Sequence, residues 1–136
     1  MSRSPRALMV ALAIVVSSCG GDDGIGPPPL PPAEPGPVDF DVTTPGDIDD
    51  GGLLLTIVGG PVDSVTGLAG YEVFHSQTAV ATRAIVYGSI GDGALMRVWV
   101  PNASLASRYT VRVDEGARRV SYDVVPGAAY LVTRRP

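Results

Sequence analysis

An all-β fold is predicted for this chain of 136 residues: a two-sheet sandwich of about seven or eight strands behind a proline-rich stalk. Three observations predict it. From Val38 onward, short β-type runs recur between clusters of Gly, Pro, Asn and Asp. Apolar and polar residues alternate within several of those runs, as half-buried strands require. No apolar repeat of 3.6 residues lasts long enough to make a major helix.

The candidate strands are residues 38–43, 53–58, 70–75, 82–87, 95–100, 109–113, 120–125 and 129–133. Pro45-Gly46 separates the first two, and Gly59-Gly60-Pro61 closes the second. Gly91-Asp92-Gly93, Pro101-Asn102, Glu115-Gly116 and Pro126-Gly127 supply the later turns. The run from Leu53 to Val58 is apolar at nearly every position, which predicts a central strand covered on both sides or lying near a neighbour's edge. Tyr109, Val111 and Val113 point one way while Thr110, Arg112 and Asp114 point the other. Val120, Tyr122 and Val124 repeat that pattern against Ser121 and Asp123. One helical turn is expected over residues 103–108.

Ahead of the strands lies an address. Arg3 and Arg6 precede an apolar run from Ala7 to Val16, followed by Ser17, Ser18 and Cys19, the order of a secretory signal. Ten apolar residues rise about 15 Å as a helix, half of a hydrocarbon core of roughly 30 Å, so residues 1–18 read as a cleaved signal peptide. Val16-Ser17-Ser18-Cys19 resembles the lipobox of bacterial lipoproteins. The resemblance implies cleavage before Cys19, a diacylglyceryl thioether on its sulfur and an acylated new amino terminus. Together these would anchor the protein to a membrane, where a single chain binds only marginally. Cys19 is the only cysteine, so the mature domain is expected to fold without a disulfide. Gly20 rather than Asp follows it, which in enterobacterial lipoproteins implies forwarding to the outer membrane. Asp22-Asp23 resembles the acidic export signal of surface lipoproteins in some phyla, leaving periplasm and cell surface both open.

Residues 19–37 read as a linker rich in Gly, Pro and Asp. Eight of the 13 prolines lie between Pro27 and Pro45, and the run Pro27-Pro28-Pro29-Leu30-Pro31-Pro32 among them cannot be helix or ladder-paired strand. As a polyproline II spacer, the stretch from Gly20 to Pro37 spans up to ~55 Å. Charge is split along the chain. Eight acids and no Arg lie between Cys19 and Asp50, whereas eight Arg face six acids from Gly51 onward. An acidic stem therefore carries a slightly basic head, and anionic lipid should repel the stem. With a net charge of -4 and no Lys, a nucleic-acid-binding surface is not expected.

Residues 38–136 form the expected sandwich domain. The Asp49-Asp50-Gly51-Gly52 turn before Leu53, the run Arg83 to Gly88, the run Gly93 to Pro101 and the run Tyr109 to Val113 resemble the immunoglobulin-like and cohesin-like sandwiches of bacterial surface proteins. That resemblance implies partner binding or scaffolding, and no binding residue is carried over from it. The Cys-Trp-Cys arrangement of antibody domains is absent from the sequence.

Few residues advertise chemistry. Asp47, Asp49 and Asp50 beside Gly51 invite a calcium site, but the acid that an EF-hand loop needs at its twelfth position is missing. An acidic turn entering a strand is the better account of them, and they are the calcium ligands only if a cation binds here. Trp99 shares a strand face with Arg97, opposite Met96, Val98 and Val100. With Tyr87 or Tyr71, an exposed Trp99 would offer a platform for a sugar ring; otherwise it packs beneath Arg97. His75 is the only histidine, and no Gly-x-Ser-x-Gly elbow accompanies it, so neither zinc nor hydrolase chemistry is expected. Asp114-Glu115 are adjacent and read as solvated rather than as a glycosidase pair. The expected role is non-enzymatic binding or structure in the cell envelope, with carbohydrate binding through Trp99 as the alternative.

Overall fold

Alternation of side chains along each run decides what the core contains. The computed structural model describes residues 26–46 and 49–136, of which Pro31–Pro136 form one unit. Nine strands form among them: β1 (Gly36–Thr43), β2 (Asp50–Val58), β3 (Ser64–Gly67), β4 (Glu72–Gln77), β5 (Thr82–Ile90), β6 (Gly93–Val100), β7 (Thr110–Arg118), β8 (Val124–Pro126) and β9 (Leu131–Arg134). They make two antiparallel sheets, ordered β3-β6-β1-β9 and β4-β5-β2-β7-β8, which pack together as a sandwich.

Between the sheets lie Val38, Phe40 and Val42 from β1, Leu53, Leu55 and Ile57 from β2, Ala84 and Val86 from β5, and Leu95, Met96, Val98 and Val100 from β6. Each large side chain buried this way is worth about 1.5–3 kcal/mol of transfer free energy. β2 is the central strand of its sheet, as expected. It is not covered on both sides: Leu54 and Thr56 point away from the core and are only half-buried. The expected helical turn forms as a 3-10 helix over Ala103–Arg108, capped by Asn102, whose side chain accepts from the Ser104 N–H at 3.1 Å. The Ala103 N–H donates to the Glu34 carbonyl at 2.8 Å and ties down the chain ahead of β1.

Four features depart from the sequence reading, the first being that Asp50, Gly51 and Gly52, expected as a turn before Leu53, are already the start of β2. β3 was not foreseen, because Ser64–Gly67 carries only one core residue, Val65, too few to show alternation. β7 runs straight through Glu115-Gly116, where a turn was expected. A register shift there sets Leu54 against Glu115 and Leu55 against Val113, leaving Asp114 as the extra residue of a bulge. Gly116 serves packing, since the Tyr130 hydroxyl occupies the place a Cβ would take. The run 120–125 does not form a full strand: Val120 and Tyr122 are exposed, and Tyr122 lies at φ 59° in a turn. That turn is closed by the Tyr122 N–H donating to the Arg118 carbonyl at 3.2 Å, so only Val124–Pro126 pairs with β7.

Candidate functional site

β5 alternates inward Ala84 and Val86 with outward Arg83, Ile85 and Tyr87. β4 places Val73 inward and Phe74 outward. Leu54 on β2, Ile85 on β5 and Phe74 on β4 are register partners, so they form one row across the outer face of the five-stranded sheet. Phe74 is 64% exposed and Ile85 50% exposed, and their adjacency in one row makes them a contiguous apolar patch rather than scattered residues. Diagonally across the strands, the Phe74 and Tyr87 rings stack with centroids 5.7 Å apart and planes 10° from parallel. A groove of about 430 Å³ follows the row, lined by Leu54, Phe74, His75, Ser76, Arg83 and Ile85.

Polar groups frame this apolar strip. On one side the Tyr87 hydroxyl donates to the Glu72 carboxylate, an interaction that raises the phenol's pKa. On the other, the β7 bulge delivers Asp114 to Thr56, whose hydroxyl donates to it at 2.5 Å. Arg112 and Arg83 reach the same carboxylate at 2.9 and 3.4 Å. The Thr56 hydrogen bond, aided by the two guanidinium groups, holds Asp114 below the usual carboxylate range. The face is thus grooved, partly aromatic and bordered by charge, which suits contact with another surface.

The residues singled out from sequence are dispersed. Trp99 lies on the outer face of the four-stranded sheet, 38% exposed, with Pro37 and Ser64 as register neighbours. Arg97 shares that face but is held by Asp39 in a two-pronged pair at 2.7 and 2.8 Å. The Arg97 hydrogen bond keeps Asp39 below its ordinary pKa. Tyr87 projects from the opposite sheet, so Trp99 and Tyr87 do not share a platform. Tyr71 is half-buried against the core, and its hydroxyl accepts from the Gly91 N–H at 3.2 Å. His75 falls on the inward phase of β4 yet stays exposed at the sheet's edge.

Asp47 lies outside the described residues, as does Cys19. Asp49 and Asp50 do not converge. Asp49 is exposed and pairs with Arg119 at 3.4 Å. Asp50 is fully buried beside the Tyr130 hydroxyl, where neither group completes a hydrogen bond. Burial pushes Asp50 above the ordinary carboxylate value, against the opposing pull of Tyr130 and Arg118. Burial and then the Asp50 carboxylate drive the Tyr130 phenol far upward. Among the described residues, no group of three or more His, Cys, Asp or Glu side chains is placed to hold a metal ion.

Sequence reasoning missed Phe74, Ile85 and Leu54. The signal was present: in Arg83-Ala84-Ile85-Val86-Tyr87 the phase that carries Arg also carries Ile and Tyr. No family model, no curated protein and no solved structure matches this chain.

Proposed function

We propose that this is a lipid-anchored cell-envelope protein whose β-sandwich works by binding rather than by catalysis, displayed on its proline-rich stalk. The observation that carries the binding role is the outer face of the five-stranded sheet, where stacked Phe74 and Tyr87 lie beside exposed Ile85. A small domain has a strong solvation reason to cover such a strip, and a partner surface does so. The anchoring half of the reading rests on the Val16-Ser17-Ser18-Cys19 motif. Mass spectrometry of the mature protein from a bacterial host tests it. A chain beginning at a lipid-modified Cys19, and loss of membrane partition in Cys19→Ala, are expected. An unmodified Cys19, or unchanged partition of the variant, contradicts the anchor.

A second reading, carbohydrate binding, is favoured by one observation: Trp99 presents part of its ring to solvent on the other sheet. Trp99 is the only tryptophan, so fluorescence reports on it alone. Iodide quenching that purified cell-wall glycan suppresses supports this reading. Quenching that glycan leaves unchanged removes it.

A further inference from the structure

Four strands stand at the edges of the two sheets, and three of them are short or guarded. β3 has four residues and ends in Gly67, β8 has three and contains Pro126, and β9 has four and ends in Arg134. Short length, proline and cationic residues are the usual means of keeping an edge from pairing with another chain. β4 is the longest of the four at six residues, and Glu72–Gln77 contains no proline, lysine or arginine. Among the described residues, no backbone hydrogen bond reaches the side of β4 away from β5, although β3 packs near β4 and the Gln77 side chain at its end donates to the Val62 carbonyl. His75 is exposed although its phase turns it inward, and it lines the groove beside Phe74.

We infer that β4 pairs with β4 of a second copy of this chain, antiparallel about a two-fold axis, joining two five-stranded sheets into one of ten strands. The inference rests on reading this face as a contact surface and names its occupant. Residues opposite each other in an antiparallel ladder share a face, so only registers that match outward with outward residues are allowed. The register that sets Phe74 against Phe74 of the second copy does two things at once. It merges the two Leu54–Ile85–Phe74 rows into one apolar band, with a central aromatic pair. It also sets Glu72 against Ser76 of the second copy, and Ser76 is the register partner of Arg83.

Glu72 therefore lies two strand spacings, about 10 Å between backbones, from Arg83 of the second copy across a small serine. Pairing these opposite charges across the seam takes Glu72 from the Tyr87 hydroxyl and Arg83 from its 3.4 Å contact with Asp114, and the symmetry repeats the exchange. No like charges meet. Moving the register by two, to set His75 against His75, leaves Phe74 facing Ser76 and carries Glu72 past the end of the strand. A second copy thus supplies both the charge and the apolar match that the surface presents.

Cross-linking of the full chain in an oxidising bacterial envelope tests the pairing. In the inferred register, residues 74 of the two copies lie about 5 Å apart, inside disulfide range, whereas residues 75 lie about 8 Å apart, outside it. Phe74→Cys should give a disulfide-linked dimer, and His75→Cys much less. Adding Glu72→Arg to Phe74→Cys should lower the dimer yield several-fold, and Arg83→Glu on top of both should restore it. The parent chain and Val124→Cys, on another edge strand, measure background. Phe74→Cys at background yield while the variant accumulates folded overturns the pairing, and His75→Cys exceeding Phe74→Cys overturns the register. If pairing fails but Phe74→Lys still alters envelope contacts of the β4 face, the face binds something else and only the second copy is lost.

Discussion

A carboxylate buried without a hydrogen-bond partner costs free energy whenever it is ionised, and Asp50 is placed that way at the start of β2 beside Tyr130. Its raised pKa means that the folded state holds the proton more tightly than the unfolded chain does. Stability from this site is therefore greatest at or below the unfolded value near 3.8 and falls as pH rises through the raised one. Asp39 and Asp114 act in the opposite sense, since their lowered pKa values give stability that is lost on acidification. Asp50→Asn should stabilise the protein by about 1–2 kcal/mol at neutral pH and remove the decline between mildly acidic and neutral conditions. Urea unfolding across that range checks it, and an unchanged or lower midpoint contradicts the account. The sequence displayed Asp49 and Asp50 as a cluster, but neighbouring residues entering a strand face opposite ways. Asp49 goes out to Arg119 and Asp50 goes in.

Elements were legible where alternation was dense. β1, β2, β5 and β6 lie where the apolar runs predicted, because each carries three or more core residues in phase. β3 carries one, and its partner β6 supplies the order that its own residues lack. Glycine was the other source of error. Glu115-Gly116 has the composition of a turn, yet Gly116 is used for the close approach of Tyr130, a contact between residues distant in sequence. The segment after β7 erred in the other direction: Tyr122 looked like a strand residue and sits in the left-handed region. Tyr122→Gly should raise stability by ~0.5–1 kcal/mol, because glycine adopts that conformation without steric cost. A drop of similar size in the unfolding midpoint would instead mark Tyr122 as part of a strand.

At the scale of the whole molecule, the sandwich was legible because two sheets are the simplest way to bury one face of many short strands. The candidate site was not, because nothing local distinguishes Phe74, Ile85 and Leu54 from core. They become a surface only when register places them in one row, with no third layer above among the described residues. The expected split into an acidic stem and a basic head does not hold, because Asp39 and Asp41 lie in β1, Asp50 begins β2 and Asp49 pairs with Arg119, so the sandwich itself carries these acids. The feature left for contact is the outer sheet face, apolar between charged borders. The most direct test of that face is backbone amide hydrogen exchange of β4 in the full-length protein. It would be measured in detergent at low and high concentration and in native membranes. Slower exchange at β4 as concentration rises or in the membrane, with β3 and β8 unchanged, is the predicted result. β4 amides that exchange as fast as the other edges in every setting would contradict a contact role for this face.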